Sequence, residues 1–147
     1  MSRAFVKDDS DGPEPRFQRR PVSTLPNYVT PRGLELLGAS LARAQAAGDA
    51  REAEYLTERL DSAIVIDPSA HPRGVVEFGA SVRAHDGAGG ELQVRIVGED
   101  EADPLRGTIS WESPIARALT DHRVGERVVV MRPAGPIEYT IDEISYE

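Results

Sequence analysis

The stretch "RAQAAGDAREAEYL", Arg43–Leu56, decides how the N-terminal half of the chain is read. Gly48 interrupts a run of helix-forming residues, and Asp49, Glu52 and Glu54 follow it. One reading is punctuation. Glycine takes the positive φ that closes a helix, Asp49 caps the next one, and Glu52 falls three residues later, as in a capping box. The other is chemistry: Asp49 and Glu52 present carboxylate oxygens to a metal from an exposed turn. Working outward, Thr30 and Pro31 form an N-cap and first-turn pair. Leu34, Leu37, Leu41 and Ala44 recur at helical spacing, and Ala53, Leu56, Leu60 and Ala63 form a second stripe. A turn this short makes the helices antiparallel. The spacing predicts a helical hairpin, a short coiled coil, over residues 28–66. Each arm of ~17 residues spans ~25 Å.

The 147 residues suit one domain, or one domain with a small appendage. A 39% hydrophobic and 29% charged chain has the composition of a soluble globular protein. With no cysteine, disulfides, thiolate zinc sites and thiol catalysis are excluded. The opening residues have no apolar signal region, and no run reaches the ~18 apolar residues of a membrane span. A cytoplasmic protein is expected. Acids outnumber Lys plus Arg by 25 to 17, for a net charge of −8. That field repels phosphate, which disfavours autonomous DNA binding and favours a protein partner with a basic surface.

Residues 1–27 read as a disordered tail broken by Pro13, Pro15, Pro21 and Pro26, with Arg16, Arg19 and Arg20 as the alternative, a basic arm touching a partner. Residues 67–73 read as a proline-containing linker. Residues 74–147 are rich in β-forming runs: "VVEFG", "SVRAH", "LQVRIVG", "TISW", "RVVVM" and "IEYTIDEISY". "HDGAGGE" reads as a hairpin loop, and "SPIARALTD" as one short helix with Ser113 as N-cap and Pro114 at its first position. Ile115 and Leu119 would pack it onto the sheet. The class is α+β: an antiparallel sheet covered by one helix.

Catalytic signals are few. His71, His85 and His122 are scattered. No nucleophile elbow, zinc-protease, P-loop or dinucleotide motif occurs. The acids of "GEDEAD", Gly98–Asp103, lack EF-hand spacing. They read as a solvated loop, a cation site or a surface for a basic partner. Trp111 reads as core, with partner contact as the alternative.

"RIVGEDEADPLRGTISWESPIARAL", Arg95–Leu119, resembles the C-terminal domain of the bacterial Gre transcript cleavage and elongation factors. The shared pattern is RIVG, an acidic DEAD run, IS, then SP and ARAL around an Ile or Met; Arg95–Gly98, Asp100–Asp103, Ile109, Ser110 and Ser113–Leu119 fit it. "YVTPRGLELL" and "GDAREAEY" resemble the start and tip of the family's coiled coil. The resemblance implies a coiled-coil hairpin followed by an FKBP-like domain. It also implies a partner, bacterial RNA polymerase, bound at the mouth of its secondary channel. Apart from the resemblance, a monomer is expected, with no membrane association and no cofactor. Glu112, Ser113, Pro114, Ile115 and Ala116 are the implied polymerase contacts, with Asp100 and Asp103 beside them. Asp49 and Glu52 match the tip acids that help hold magnesium in the polymerase's own active centre, so the chain itself is expected not to be an enzyme.

This sequence departs from the Gre pattern in arm length. A family coiled coil is about twice as long, a deficit here of about four turns per arm, or ~20 Å. The short-armed relative is Rnk, which occupies the same channel mouth without stimulating cleavage. The expectation is therefore a Rnk-like regulator that competes with longer factors. The alternatives are a true cleavage factor and, from the shared topology, a peptidyl-prolyl isomerase. An isomerase needs a concave aromatic pocket.

Overall fold

In the computed structural model, residues 22–70 and 74–146 are described. The arm Arg16, Arg19 and Arg20, most of the predicted tail, and His71 lie outside them. Asn27, expected at the end of that tail, is buried at 4% exposure.

The described chain forms two compact units, one holding Leu37–Ser62 and the other Asn27–Leu36 with Ala63–Glu147. The helical unit contains most of α1 (Pro31–Ala46) and all of α2 (Ala50–Ser62). Between them the turn closes as a Schellman motif. Gly48 has φ 71°, its N–H donates to Gln45 O at 3.1 Å, and Asp49 N–H donates to Ala44 O at 2.9 Å. Leu37, Ala44 and Leu56 are buried, and so is Arg59, at 1% exposure.

The helices end sooner than periodicity predicts. Ile64–Val65 forms a strand, β2, paired in parallel with β1, Tyr28–Val29. Ile64 N–H donates to Asn27 O and Ile66 N–H to Val29 O, each at 2.8 Å. β-branched side chains at Ile64, Val65 and Ile66 favour this extended path. The chain thus leaves for the helices and returns from them along two paired segments.

The second unit is built on a five-stranded sheet: β3 (Ser81–Asp86), β4 (Glu91–Val97), β5 (Thr108–Ser110), β6 (Arg127–Arg132) and β7 (Gly135–Ser145), in the order β5-β4-β3-β7-β6. The expectation of a wholly antiparallel sheet needs correction, because β4 and β5 run parallel. β4 leaves through the acidic loop, which turns back as far as Asp103 and then reverses again at Pro104–Gly107, where Asp103 bridges Thr108 antiparallel, so β5 starts in the direction of β4. A short 3-10 turn, Pro104–Arg106, lies in that connection. The helix α3 (Pro114–Leu119) follows β5, with Ala116 and Leu119 fully buried against Val76, Val82, Ile96, Val128 and Ile141.

Two further expectations change. "VVEFG" is not a strand: Val75 makes only an isolated bridge to Arg123. Its backbone is satisfied from elsewhere, since the Tyr146 hydroxyl donates to Val75 O and accepts from Glu77 N–H at 2.8 Å. The predicted linker is also partly ordered. Pro68–Ala70 forms a 3-10 turn, and buried Pro68 covers Gly79, whose φ is 90°. A Cβ on Gly79 would lie 2.8 Å from the Pro68 ring.

The alternation in β7 is kept only through a bulge. Arg83 pairs with Glu143 and Ala84 with Ile141, leaving Asp142 extra. The skipped residue returns Ile144 and Tyr146 to the core side. It also brings the Asp142 carboxylate oxygens 2.8 and 2.9 Å from His85 Nδ1. His122 Nδ1 lies 2.7 Å from Glu126, and this hydrogen bond holds the Glu126 carboxyl below its usual range.

A pH response follows from Glu77. Burial, then a hydrogen bond and repulsion from Asp121, raise its pKa above 4.5. Asp121 itself is held at φ 72°, where Asn is well tolerated. A raised carboxyl pKa favours folding while Glu77 is protonated, and that contribution is lost as pH rises through the folded value. Asp121→Asn is therefore expected to raise the thermal midpoint at about pH 7.5, with the gain shrinking below about pH 4.5. Equal gains across that range, measured by thermal melts, would remove the coupling.

Candidate partner-docking site

The loop after β4 and the helix after β5 place the residues singled out above. Gly98 opens the loop because no side chain fits there: a Cβ would lie 2.2 Å from Tyr28 O. This close approach seats β1 and the first turn of α1 on the loop. Thr30 accepts from Gly33 N–H at 2.9 Å as N-cap, and its hydroxyl donates to Glu101 Oε1 at 2.7 Å. No acid stands in the first turn of α1, so Glu101 supplies one from the sheet unit at the positive end of the helix. Sequence reading missed Glu101. The signal was available as a capping threonine followed by "PRG", without the acid such a turn favours.

Tyr28 also packs on two rings. Its centroid lies 5.1 Å from Trp111 in edge-on contact and 6.0 Å from Phe78. The partner-contact alternative for Trp111 therefore gives way to packing.

Asp103 is committed to the loop. Its carboxylate accepts from Leu105 N–H at 3.1 Å, its own N–H donates to Thr108 Oγ1 at 2.7 Å, and Arg106 lies 3.5 Å away. Asp100 is half-buried and engaged as well. Among the described residues no group of three or more His, Asp or Glu side chains is placed to hold a metal ion.

Ser113 caps α3 by accepting from Ala116 N–H at 3.3 Å, with Pro114 at the first helical position. Glu112 accepts from Ser110 Oγ at 3.3 Å. Pro114 is exposed, and Glu112 and Ser113 are partly so. Ala116 is fully buried, and Ile115 is half-buried against the core. With fully buried Leu119, these apolar side chains fasten the helix to the sheet. The outward set is therefore Glu112, Ser113 and Pro114, and Ala116 leaves the list of contacts.

At the other end of the chain, Asp49 Oδ1 accepts from Glu52 N–H at 3.1 Å, so the first acid of the tip caps α2. The reciprocal half of the expected capping box is superseded, because Asp49 N–H already donates to Ala44 O.

These features define an α+β protein with a mixed five-stranded sheet, a fixed acidic loop and a capped surface helix. Residues 71–146 match the family described as "Transcription elongation factor, GreA/GreB, C-term", and the chain belongs to that family. It is 42% identical over 97 residues to the transcription elongation factor GreB of Neisseria meningitidis, covering 65% of this chain and 60% of that protein. It is 40% identical over 126 residues to GreA of Legionella pneumophila (strain Corby), covering 73% of this chain and 79% of that one. The chain thus spans less than two thirds of the Neisseria relative. The crystal structure of GreA factor homolog 1 (Gfh1) of Thermus thermophilus aligns with 82% of this chain and 99% of its own, at TM-score 0.45 and 24% identity. Among the described residues no helix is long and apolar enough to cross a membrane.

Proposed function

We propose that this chain is a short-armed, Rnk-like member of its family. It binds bacterial RNA polymerase at the mouth of the secondary channel and competes there with longer-armed factors. The sheet unit, read as FKBP-like, does the docking through Glu112, Ser113 and Pro114, with the acidic loop around Asp100 and Asp103 beside them. The helices α1 and α2, read as a short antiparallel coiled coil, enter the channel. The chain acts as a monomer in the cytoplasm, and any RNA cleavage belongs to the polymerase.

The observation that carries this reading is the length of the helices. With 16 and 13 residues, α1 and α2 extend ~24 and ~20 Å. Paired β1 and β2 fix where they begin and end. Magnesium coordination requires contact at ~2.1 Å. A tip ~20 Å short of its target cannot supply that contact by changing rotamers. Asp49 is also already used as a cap. The isomerase alternative loses support because Phe78 and Trp111 pack on Tyr28.

The test is RNA cleavage in backtracked elongation complexes, with and without a full-length Gre factor. The expected result is no acceleration by this chain alone, a dose-dependent slowing of the full-length factor, and no change in either with Asp49→Ala. Faster RNA release that Asp49→Ala abolishes would establish the cleavage-factor alternative instead.

A further inference from the structure

Leu105 is 96% exposed. A singly exposed leucine is ordinary on a protein surface. What sets this one apart is the construction of the turn that carries it. Asp103 caps the turn, Pro104 fixes its first φ, and Gly107 closes it at φ 78°. The Thr108 hydroxyl accepts from Asp103 N–H at 2.7 Å and lies 3.3 Å from both Glu101 O and Asp103 O. Asp103 and Thr108 also exchange backbone hydrogen bonds at 3.1 and 3.2 Å. These constraints hold a three-residue turn whose most apolar side chain points into solvent. A turn whose backbone is fixed this way forfeits little backbone freedom on binding, so ordering the leucine costs only its side-chain rotamers.

The surroundings indicate what it would meet. Glu99, Asp100, Glu101 and Asp103 precede the turn in sequence, on a chain of net charge −8. Glu101 and Asp103 are already bonded within the chain and exposed Arg106 stands beside Leu105, so it is the negative charge of the chain as a whole that favours a basic partner face around an apolar socket. The turn stands at one end of β5, and Glu112–Ser113 at the other. Three residues of strand and the flanking turns separate them by about 15–20 Å. One partner face of ordinary size, ~800 Å² per side, covers both.

We propose that Leu105 is a second anchor on the polymerase, entering an apolar socket on a largely basic face while the start of α3 makes the first contact. This rests on the polymerase reading above. The experiment is a binding titration of the full chain against purified core RNA polymerase. The proteins compared are wild type, Leu105→Ala, Leu105→Asp, Leu105→Met and Glu112→Arg, each with a thermal melt. Burying a leucine is worth about 2 kcal/mol, so Leu105→Ala is expected to weaken binding about 30-fold. Leu105→Asp weakens it further and Leu105→Met restores it, with melting unchanged throughout. Normal wild-type binding that Glu112→Arg weakens and Leu105→Ala does not would overturn the Leu105 anchor alone. No binding by wild type would overturn the polymerase reading and the anchor together.

Discussion

Gly98→Ala is expected to lower the thermal midpoint by about 10 °C, a loss of roughly 3 kcal/mol. The added Cβ would stand 2.2 Å from Tyr28 O, 3.4 Å from Tyr28 C and 3.5 Å from Val29 Cα. All three are backbone atoms, so no side-chain rotation relieves the contact. Gly98 is not among the glycines with positive φ, and alanine meets no conformational penalty there. The cost is space alone. Moving Tyr28 away disturbs its contacts with Trp111 and Phe78 and the pairing of β1 with β2. Gly38→Ala is the counterpart. Nothing lies within 4 Å of its Cβ, and it occupies a helix interior, so a gain of up to about 1 kcal/mol is expected. Differential scanning calorimetry on both variants reads the contrast. A Gly98→Ala midpoint within about 2 °C of wild type would show that the close approach is not a constraint.

On the docking proposal, Glu112→Arg weakens polymerase binding at least about tenfold while leaving the melt unchanged. The side chain is partly exposed at the start of α3, and the hydrogen bond it accepts from Ser110 is long at 3.3 Å. Reversing its charge places a cation where an acidic surface is expected to meet a basic one. The effect is largest at low salt and shrinks as salt screens the pair. Ile115→Asp is a poorer probe, because Ile115 packs on the core and its loss would confound unfolding with undocking. Affinity unchanged by Glu112→Arg at low ionic strength would remove this end of α3 from the interface.

Much of this was legible in the sequence because local rules agreed with one another. Thr30, Gly48, Asp49 and Ser113 are capping residues whose partners lie within five positions, and each is found at a helix end. What escaped depends on partners distant in sequence. Glu101 meets Thr30 across 71 residues, and Tyr146 satisfies "VVEFG" across 69 and 71. Ile64 and Val65 continue an apolar pattern that a helix could use, but the backbone of Tyr28–Val29 pairs with them. The β4–β5 direction hinges on a loop reversal that alternation does not record. At the candidate docking site the residue types were readable and their orientation was not: Ala116 and Pro114 are two positions apart and face opposite environments.

The pairing of β1 with β2 carries a consequence for how such an arm changes length. It closes a single long excursion of the chain, and the entropy of closing a loop grows only logarithmically with its size. Doubling the excursion costs the closure about 0.6 kcal/mol. Reach and foundation are thus nearly decoupled. Helical turns added or removed as matched pairs beyond residues 30 and 63 leave the Tyr28–Ile64 and Val29–Val65 register as it is. Helix length can therefore drift or be engineered while the β1–β2 pairing stays as it is.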